Sequence, residues 1–509
     1  MNQQEKTIGY NLRHPRASKH RINDGTDLTN VSIVIIGAGI SGLATAELLC
    51  SQGFSDVTIV EGSNKIGGRI FTTQLDNGPK LEIGAQYIHG SRKNPIYKLA
   101  KNAGISLVAE PDYYNDNCHY LTERGEAVPP SVAVDALKYC QELIDQCISK
   151  ECLVNLPNHI TSVGDFLKWK ISQKLSTIND EKHKSLLTSI YTCRDTIECA
   201  LSASNSTHDL HLRDFGDYIE LPGQDNEFKN GYSEITQKIA QKIPDNIIHF
   251  NQTVQKIKTM DSNGNKDKKL MIECTSGNIY KADIVICTVS LGVLKEKARH
   301  LFQPSLSENK LKVIDRMGFG VTDKIYLRYS KPFWKGKLDF CYYFFWDSKD
   351  DKLTVYENNG ISLSKDEQWL RNISHIESVQ FCPNTAVIWI NGESAKFMEN
   401  LTEKCVSESI TRVLRKFTGI SDLQEPDQVI QTKWFNNPLT RGSYSYVSIS
   451  SCSDDIDVLA EPELDDNGSP LILFAGEATH REFYSTTHGA YLSGQREAKR
   501  IIKLFKPNS

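Results

Sequence analysis

The chain has 509 residues, 39% of them hydrophobic and 24% charged, and its 59 basic and 63 acidic side chains leave a formal charge of −4. That composition excludes a disordered, collagen-like or mucin-like chain, and the faint acidic balance excludes the global positive field of a general nucleic-acid binder. At a nominal ~150 residues per domain, the length predicts roughly two to four domains.

No apolar run approaches the ~20 residues that span a bilayer, and the N-terminus lacks the apolar centre of a signal peptide, so a cytoplasmic protein without a membrane partner is expected, with a nuclear location as the alternative. The 13 cysteines are odd in number and show no CxxC pair, as expected of reduced thiols. Residues 1–30 carry Lys6, Arg13, Arg16, Lys19 and Arg21 among polar neighbours, without periodicity, and read as a disordered basic tail.

From Val31 to Ile36 a β-branched run predicts a strand buried on both faces. It ends in Gly37-Ala-Gly39-Ile-Ser41-Gly42, which opens a helix closed near Gly53, and Val57–Val60 predicts the next strand, with Glu61 at its carboxyl end. Helical spacing of Ala133, Ala136, Leu137, Cys140, Leu143 and Ile144 predicts a helical insertion over about 131–200. Ile247–Met260 and Leu270–Cys274 flank the turn-rich Ser262–Asp267 and predict a hairpin, and Ala282–Val289 predicts another buried strand. Lys324–Tyr329 and Ala386–Ile390 predict strands of a second sheet, while Leu471–Phe474 predicts a strand running into Gly476 and Glu477, before a helix from about Gly489 to Leu504. The alternation predicts an α/β protein with a discontinuous Rossmann-like domain (31–100, 226–310 and 440–509) and an inserted α+β domain (101–225 and 311–439).

In the glycine fingerprint, Gly37 permits the tight turn, Gly39 lets a pyrophosphate approach the backbone and Gly42 allows close helix-to-strand packing. The helix N-terminus then offers unpaired N–H groups to phosphate. Glu61 lies 24 positions after Gly37, where a carboxylate can accept hydrogen bonds from both ribose hydroxyls. FAD and NAD share this signature. The loop Gly67-Gly68-Arg69 and the remote Gly476-Glu477 strand end favour an extended FAD, because they bring further groups to a dinucleotide lying across the domain.

The blocks Gly84-Ala-Gln-Tyr-Ile-His-Gly90, Thr288–Leu294, Thr322-Asp-Lys-Ile325, Arg441–Tyr446, Gly476–His480 and Tyr484–Ala490 give the chain a resemblance to flavin amine oxidases of the polyamine oxidase branch, nearest the animal spermine and acetylpolyamine oxidases. The resemblance implies a two-domain FAD-dependent amine oxidase fold, and oxidation of a secondary amine of spermine by hydride transfer to non-covalent FAD. Oxygen would be reduced to hydrogen peroxide and the imine hydrolysed to an aminoaldehyde and spermidine. Acetylpolyamine oxidation is the alternative; a histone demethylase and a silent FAD-binding protein stand further off.

By the same resemblance Lys324 reaches the flavin ring through a water, whereas its surroundings alone would suggest a solvated strand-edge lysine. His89 would orient the amine beside the tunnel. Tyr87, Tyr444, Tyr484, Ser485 and Thr486 would line the substrate site, with Thr486 where plant enzymes often have tyrosine. Glu220, with Asp217 behind it, is the first candidate carboxylate for a polycation. Ser41, Gly84, Ala85, Val254, Trp434 and Thr487 complete the expected FAD contacts. Ser443 and Tyr444 stand where a flavin-tethering cysteine would lie and Cys452 falls outside that motif, which implies non-covalent FAD. Asn94-Pro-Ile-Tyr97 leans towards spermine oxidase. No metal is expected, and the terminal Lys-Pro-Asn-Ser does not resemble a Ser-Lys-Leu peroxisomal address.

Overall fold

Alternate side chains of the first apolar run enter two different cores. In the computed structural model, which describes residues 31–75, 78–110, 117–260, 269–334, 340–347 and 363–506, Ile33–Ile36 is a central strand of a six-stranded sheet. Ile33 and Ile35 pack with Leu43, Leu49 and Phe54, while Val34 and Ile36 pack with Leu291, Leu294 and Phe474 on the other face. Burial on both faces is why the run is apolar without alternation. The predicted tail 1–30, the turn at Ser262–Asp267 and the last three residues lie outside the described residues.

The sheet runs in the order Glu463–Leu464, Pro470–Phe474, Ile284–Cys287, Ile33–Ile36, Val57–Val60 and Ile248–His249, parallel except for its first edge strand. Helix Ile40–Ser51 packs on it through Gly42, whose added Cβ would lie 2.0 Å from Gly37 O and 3.2 Å from Ile35 Cγ2. The C-terminal helix Thr487–Phe505 crosses that helix as closely: a Cβ on Gly494 would meet Ser41 O at 2.1 Å, and Thr45 Oγ1 donates to Gly494 O at 3.1 Å.

Ile247–Met260, expected as one strand of a hairpin, is divided between two sheets. Ile248–His249 joins the parallel sheet, whereas Val254–Thr259 pairs antiparallel with Leu270–Cys274 in a separate four-stranded sheet. The break is polar: Asn251 takes a left-handed φ of 57°, and Asn251 N and Gln252 N donate to Ser63 O and Glu61 O.

A second six-stranded sheet runs Gln428–Gln431, Thr322–Arg328, Cys382–Asn391, His375–Val379, Cys341–Phe345 and Cys118–Thr122. Lys324 is registered opposite Trp389 and Ile325 opposite Ile388. The helical stretch expected over about 131–200 comprises Pro130–Ile148, Val163–Ser176 and Glu181–Ser202, the second opened by a Ser162–Asp165 capping box. Among the described residues no helix is long and apolar enough to cross a membrane.

Gly42→Ala is expected to cost about 1–3 kcal/mol by overpacking the turn. Thermal melts should show a lowered Tm together with FAD loss; an unchanged melt would show that the turn tolerates a methyl group.

Candidate active site

The carboxyl ends of Ile33–Ile36 and Val57–Val60 open into a cavity of about 1020 Å³ that continues to the second sheet. Gly37 turns the chain at φ 105°, and helix Ile40–Ser51 starts at Gly39 without a side-chain cap, leaving its first N–H groups towards the cavity. A Cβ on Gly39 would find only Gly67 O, at 4.0 Å, so the cradle has open space where a phosphate would lie. Gly42 does not line the cavity; its place is against the strand.

Glu61 is buried, and its two oxygens accept from Ala38 N at 2.7 Å and Ser63 N at 2.8 Å. Each oxygen keeps a second lone pair, so the carboxylate can be held by the turn and still accept from a ligand. Ser41, Gly67, Gly68, Gly84, Ala85, Val254, Trp434, Gly476 and Thr487 all line the same cavity. Arg69 lies there too, but its Nη1 is committed to Ser443 O at 2.7 Å and Glu477 Oε1 at 2.8 Å. Glu477 Oε2 accepts from Ser445 Oγ at 2.6 Å and Ser485 N at 2.9 Å. The pair therefore clamps the ends of distant chain segments together.

Lys324 is 3% exposed, which removes the solvated-edge alternative. Its Nζ donates to Glu82 O at 2.9 Å, Gly84 O at 3.0 Å and Gln86 Oε1 at 2.8 Å, and lies 4.6 Å from the centre of the Trp389 ring. Burial pushes its pKa down to about 8, against the pull of Glu82, Glu227 and Glu377. Burial likewise pushes each of those three carboxyls up to about 7.

His89 sits at the cavity mouth with its side chain 49% exposed, and its Nδ1 is 2.8 Å from Asp225 Oδ2, while Nε2 has no hydrogen bond among the described residues. Asp225 also accepts from Gly90 N at 2.7 Å, which fixes the ring's partner in turn. Tyr87 stacks on Trp389 at 6.5 Å, Tyr444 donates its hydroxyl to Ala200 O at 2.7 Å, and Tyr484 meets Tyr218 edge-on at 5.5 Å; all three tyrosines line the cavity. The Thr486 hydroxyl is spent locally: it accepts from Gly489 N at 2.9 Å as a helix cap and donates to Phe483 O. Ser485, at φ 66°, donates to Ser445 O.

Glu220 reaches the cavity from its exposed rim. Asp217 does not reach it; its carboxylate faces Lys150 at 2.5 Å and Arg481 at 3.7 Å. The sequence reading missed Asp225, Glu198 with its partner Arg194, and the wall formed by Tyr343, His375, Glu377 and Trp389. Trp389 was within reach, because it lies in the apolar run Ala386–Ile390 that predicted a strand.

Residues 40–502 match the family described as flavin containing amine oxidoreductase. The chain belongs to this family. As a flavin-dependent amine oxidase it binds FAD, and the uncapped helix start, the open space at Gly39 and the held carboxylate of Glu61 fit that cofactor. It is 34% identical to the peroxisomal N(1)-acetyl-spermine/spermidine oxidase of Homo sapiens, over 93% of this chain and 95% of that one. It is 30% identical to the probable polyamine oxidase 5 of Arabidopsis thaliana, over 94% and 99% respectively. The lysine-specific histone demethylase 1 homolog 2 of Arabidopsis thaliana is also 30% identical, but the match covers only 59% of that protein.

The raised carboxyls of this amine oxidase make stability depend on pH. Between the ordinary value of 4.5 and about 7, the folded protein binds protons at Glu227 that the unfolded chain has released, so this group's contribution falls as pH rises. Glu227→Gln is therefore expected to stabilise the protein by about 1–3 kcal/mol at pH 8 and little at pH 4. Melts at both pH values check this; equal effects at the two would contradict it.

Proposed function

We propose that the protein is a polyamine oxidase that converts a secondary amine of spermine, with oxygen and water, to an aminoaldehyde, spermidine and hydrogen peroxide. The observation that carries this reading is one continuous cavity joining the glycine cradle to Lys324 and to a wall of aromatic rings and carboxylates. FAD, when bound, supplies the acceptor for hydride from the carbon next to the amine and returns two electrons to oxygen.

The remaining work falls to the chain. Gly37, Gly39, the helix start and Glu61 hold the dinucleotide. Non-covalent attachment is supported by Ser443, whose Oγ donates to Thr322 O at 2.8 Å, and by Cys452, which does not line the cavity. Tyr87, Tyr444 and Tyr484 exclude water and favour the neutral amine, which alone has the lone pair that drives hydride loss. His89, oriented by Asp225, presents Nε2 to the substrate at the mouth.

Lys324 has three protons and three protein acceptors when charged. As the neutral amine, accessible with a pKa near 8, it has a lone pair that can accept from a water at the flavin ring. We also assign 31–100, 226–310 and 440–509 to the FAD domain and 101–225 and 311–439 to the substrate domain. A second reading, oxidation of acetylated polyamines, is favoured by the human relative's stated substrate.

Anaerobic mixing of the yellow protein with spermine, N1-acetylspermine and benzylamine tests the assignment. Bleaching by a polyamine and not by benzylamine is expected; absence of bleaching by either polyamine would overturn it. Lys324→Met is expected to slow reoxidation of the reduced enzyme by about a hundredfold to a thousandfold, with a smaller effect on reduction. Rapid mixing with oxygen measures this directly, and a wild-type rate would remove Lys324 from the oxidative step.

A further inference from the structure

Past Lys324 the cavity is closed by three neighbouring strands that present Tyr343, His375, Glu377 and Trp389. Glu377 is only 8% exposed, and its Oε1 accepts from Trp389 Nε1 at 2.8 Å. Its Oε2 has no hydrogen bond among the described residues. His375 Nε2 stands 3.9 Å away, and burial pushes that imidazole down to about 4, so it is neutral at pH 7. The nearby charge of Lys324 does not offset the desolvation, which pushes the Glu377 carboxyl up to about 7, and no cation is hydrogen-bonded to it among the described residues.

Three buried or half-buried charged side chains lining the cavity are committed elsewhere in the fold. Arg69 pairs with Glu477 at 2.8 Å and Arg194 with Glu198 at 3.1 Å. Lys324 directs its three donors to Glu82 O, Gly84 O and Gln86 Oε1 and gives none to Glu377. The same stretch of wall is aromatic: Trp389, with Lys324 Nζ 4.6 Å from its ring centre and Tyr87 stacked on it at 6.5 Å, and Tyr343, stacked on His375 at 5.8 Å, line the cavity with Glu377. A carboxylate flanked by ring faces is the chemistry that recognises an alkylammonium ion.

We propose that Glu377, held by Trp389 and walled by Tyr343, is the subsite for a terminal ammonium of an aliphatic polyamine. The inference rests on the polyamine oxidase reading and deepens it: the enzyme selects on charge at a chain end, since an acetylated end brings an amide that leaves Glu377 without a counter-ion. The subsite does not involve Glu220, which lies at the exposed rim.

The test compares spermine with N1,N12-diacetylspermine, which has the same backbone and no charged ends, using the FAD-loaded enzyme. KM is measured for each, or Ki where the diacetyl compound only inhibits. Glu377→Gln keeps the side chain's size and an acceptor for Trp389 Nε1. It should lower the preference for spermine over the diacetyl compound by about tenfold to a hundredfold, the loss expected for a charge-assisted bond. Trp389→Phe, which frees Oε1 and keeps a ring, should shift the same preference in the same direction by a smaller factor, and FAD content and melting temperature report whether each variant is folded. An unchanged preference in folded Glu377→Gln, or equal weakening of both compounds, overturns the subsite while spermine oxidation by the wild type leaves the polyamine reading standing. If the wild type oxidises no polyamine, that reading falls, and the subsite with it.

Discussion

The structure around the cavity depends on one buried ammonium. Lys324 projects from a central strand of the second sheet and spends its protons on Glu82 O, Gly84 O and Gln86 Oε1, in a segment that begins at the end of strand Lys80–Glu82. Two residues along the same strand face, Tyr326 donates its hydroxyl to Glu82 O at 2.7 Å. Two side chains of one strand thus fix the path of the loop that carries Gly84, Tyr87 and His89. Gly84 must be glycine there, because a Cβ would meet Arg69 O at 1.8 Å. Hydrogen bonds from a charged donor in a dry site are the strong kind, and losing one partner leaves a buried acceptor or donor unsatisfied.

The same ammonium sets the electrostatics of the wall behind it. Glu82, Glu227 and Glu377 are each raised by burial and lowered by Lys324, so one positive charge is shared among three carboxyls that hover near neutrality. Such a set is poised to change its proton count when another cation arrives, whereas a fully ion-paired wall would be indifferent to it. Arg194 with Glu198, and Arg69 with Glu477, show the contrasting arrangement, in which the charges are satisfied within the fold.

What was legible in the sequence was what is local. The βαβ unit could be read because strand, glycine turn, helix and acidic strand end follow one another within about thirty residues, each with its own chemical reason. Lys324 was legible only through resemblance, since its burial depends on a loop some 240 positions away. Glu377 and His375 were missed because His375–Val379 is a short strand without a motif of its own, and only its neighbours in the sheet place it at the cavity. Asp217 failed for the opposite reason. Its sequence neighbours placed it near Glu220, but Lys150 and Arg481, from other elements, claim its carboxylate. The Ile247–Met260 run misled because apolar periodicity cannot show that a chain leaves one sheet and enters another.

The order of strands in the parallel sheet has a consequence for how the chain comes off the ribosome. Val57–Val60 pairs with Ile33–Ile36 almost as soon as both are made, but the other edge of Ile33–Ile36 waits for Ile284–Cys287, and Ser32 N for Asp283, 251 positions later. Pro470–Phe474 then covers Ile284–Cys287, and the C-terminal helix seats Gly494 against Ser41. Throughout most of synthesis the nascent protein therefore carries a strand built for burial on both faces with one ladder edge open, the kind of surface that pairs with other chains. The cofactor cradle is begun first and closed last. Closure of that sheet is a long-range step, and until Ile284–Cys287 and then Pro470–Phe474 pair in it an edge stays open to a wrong partner.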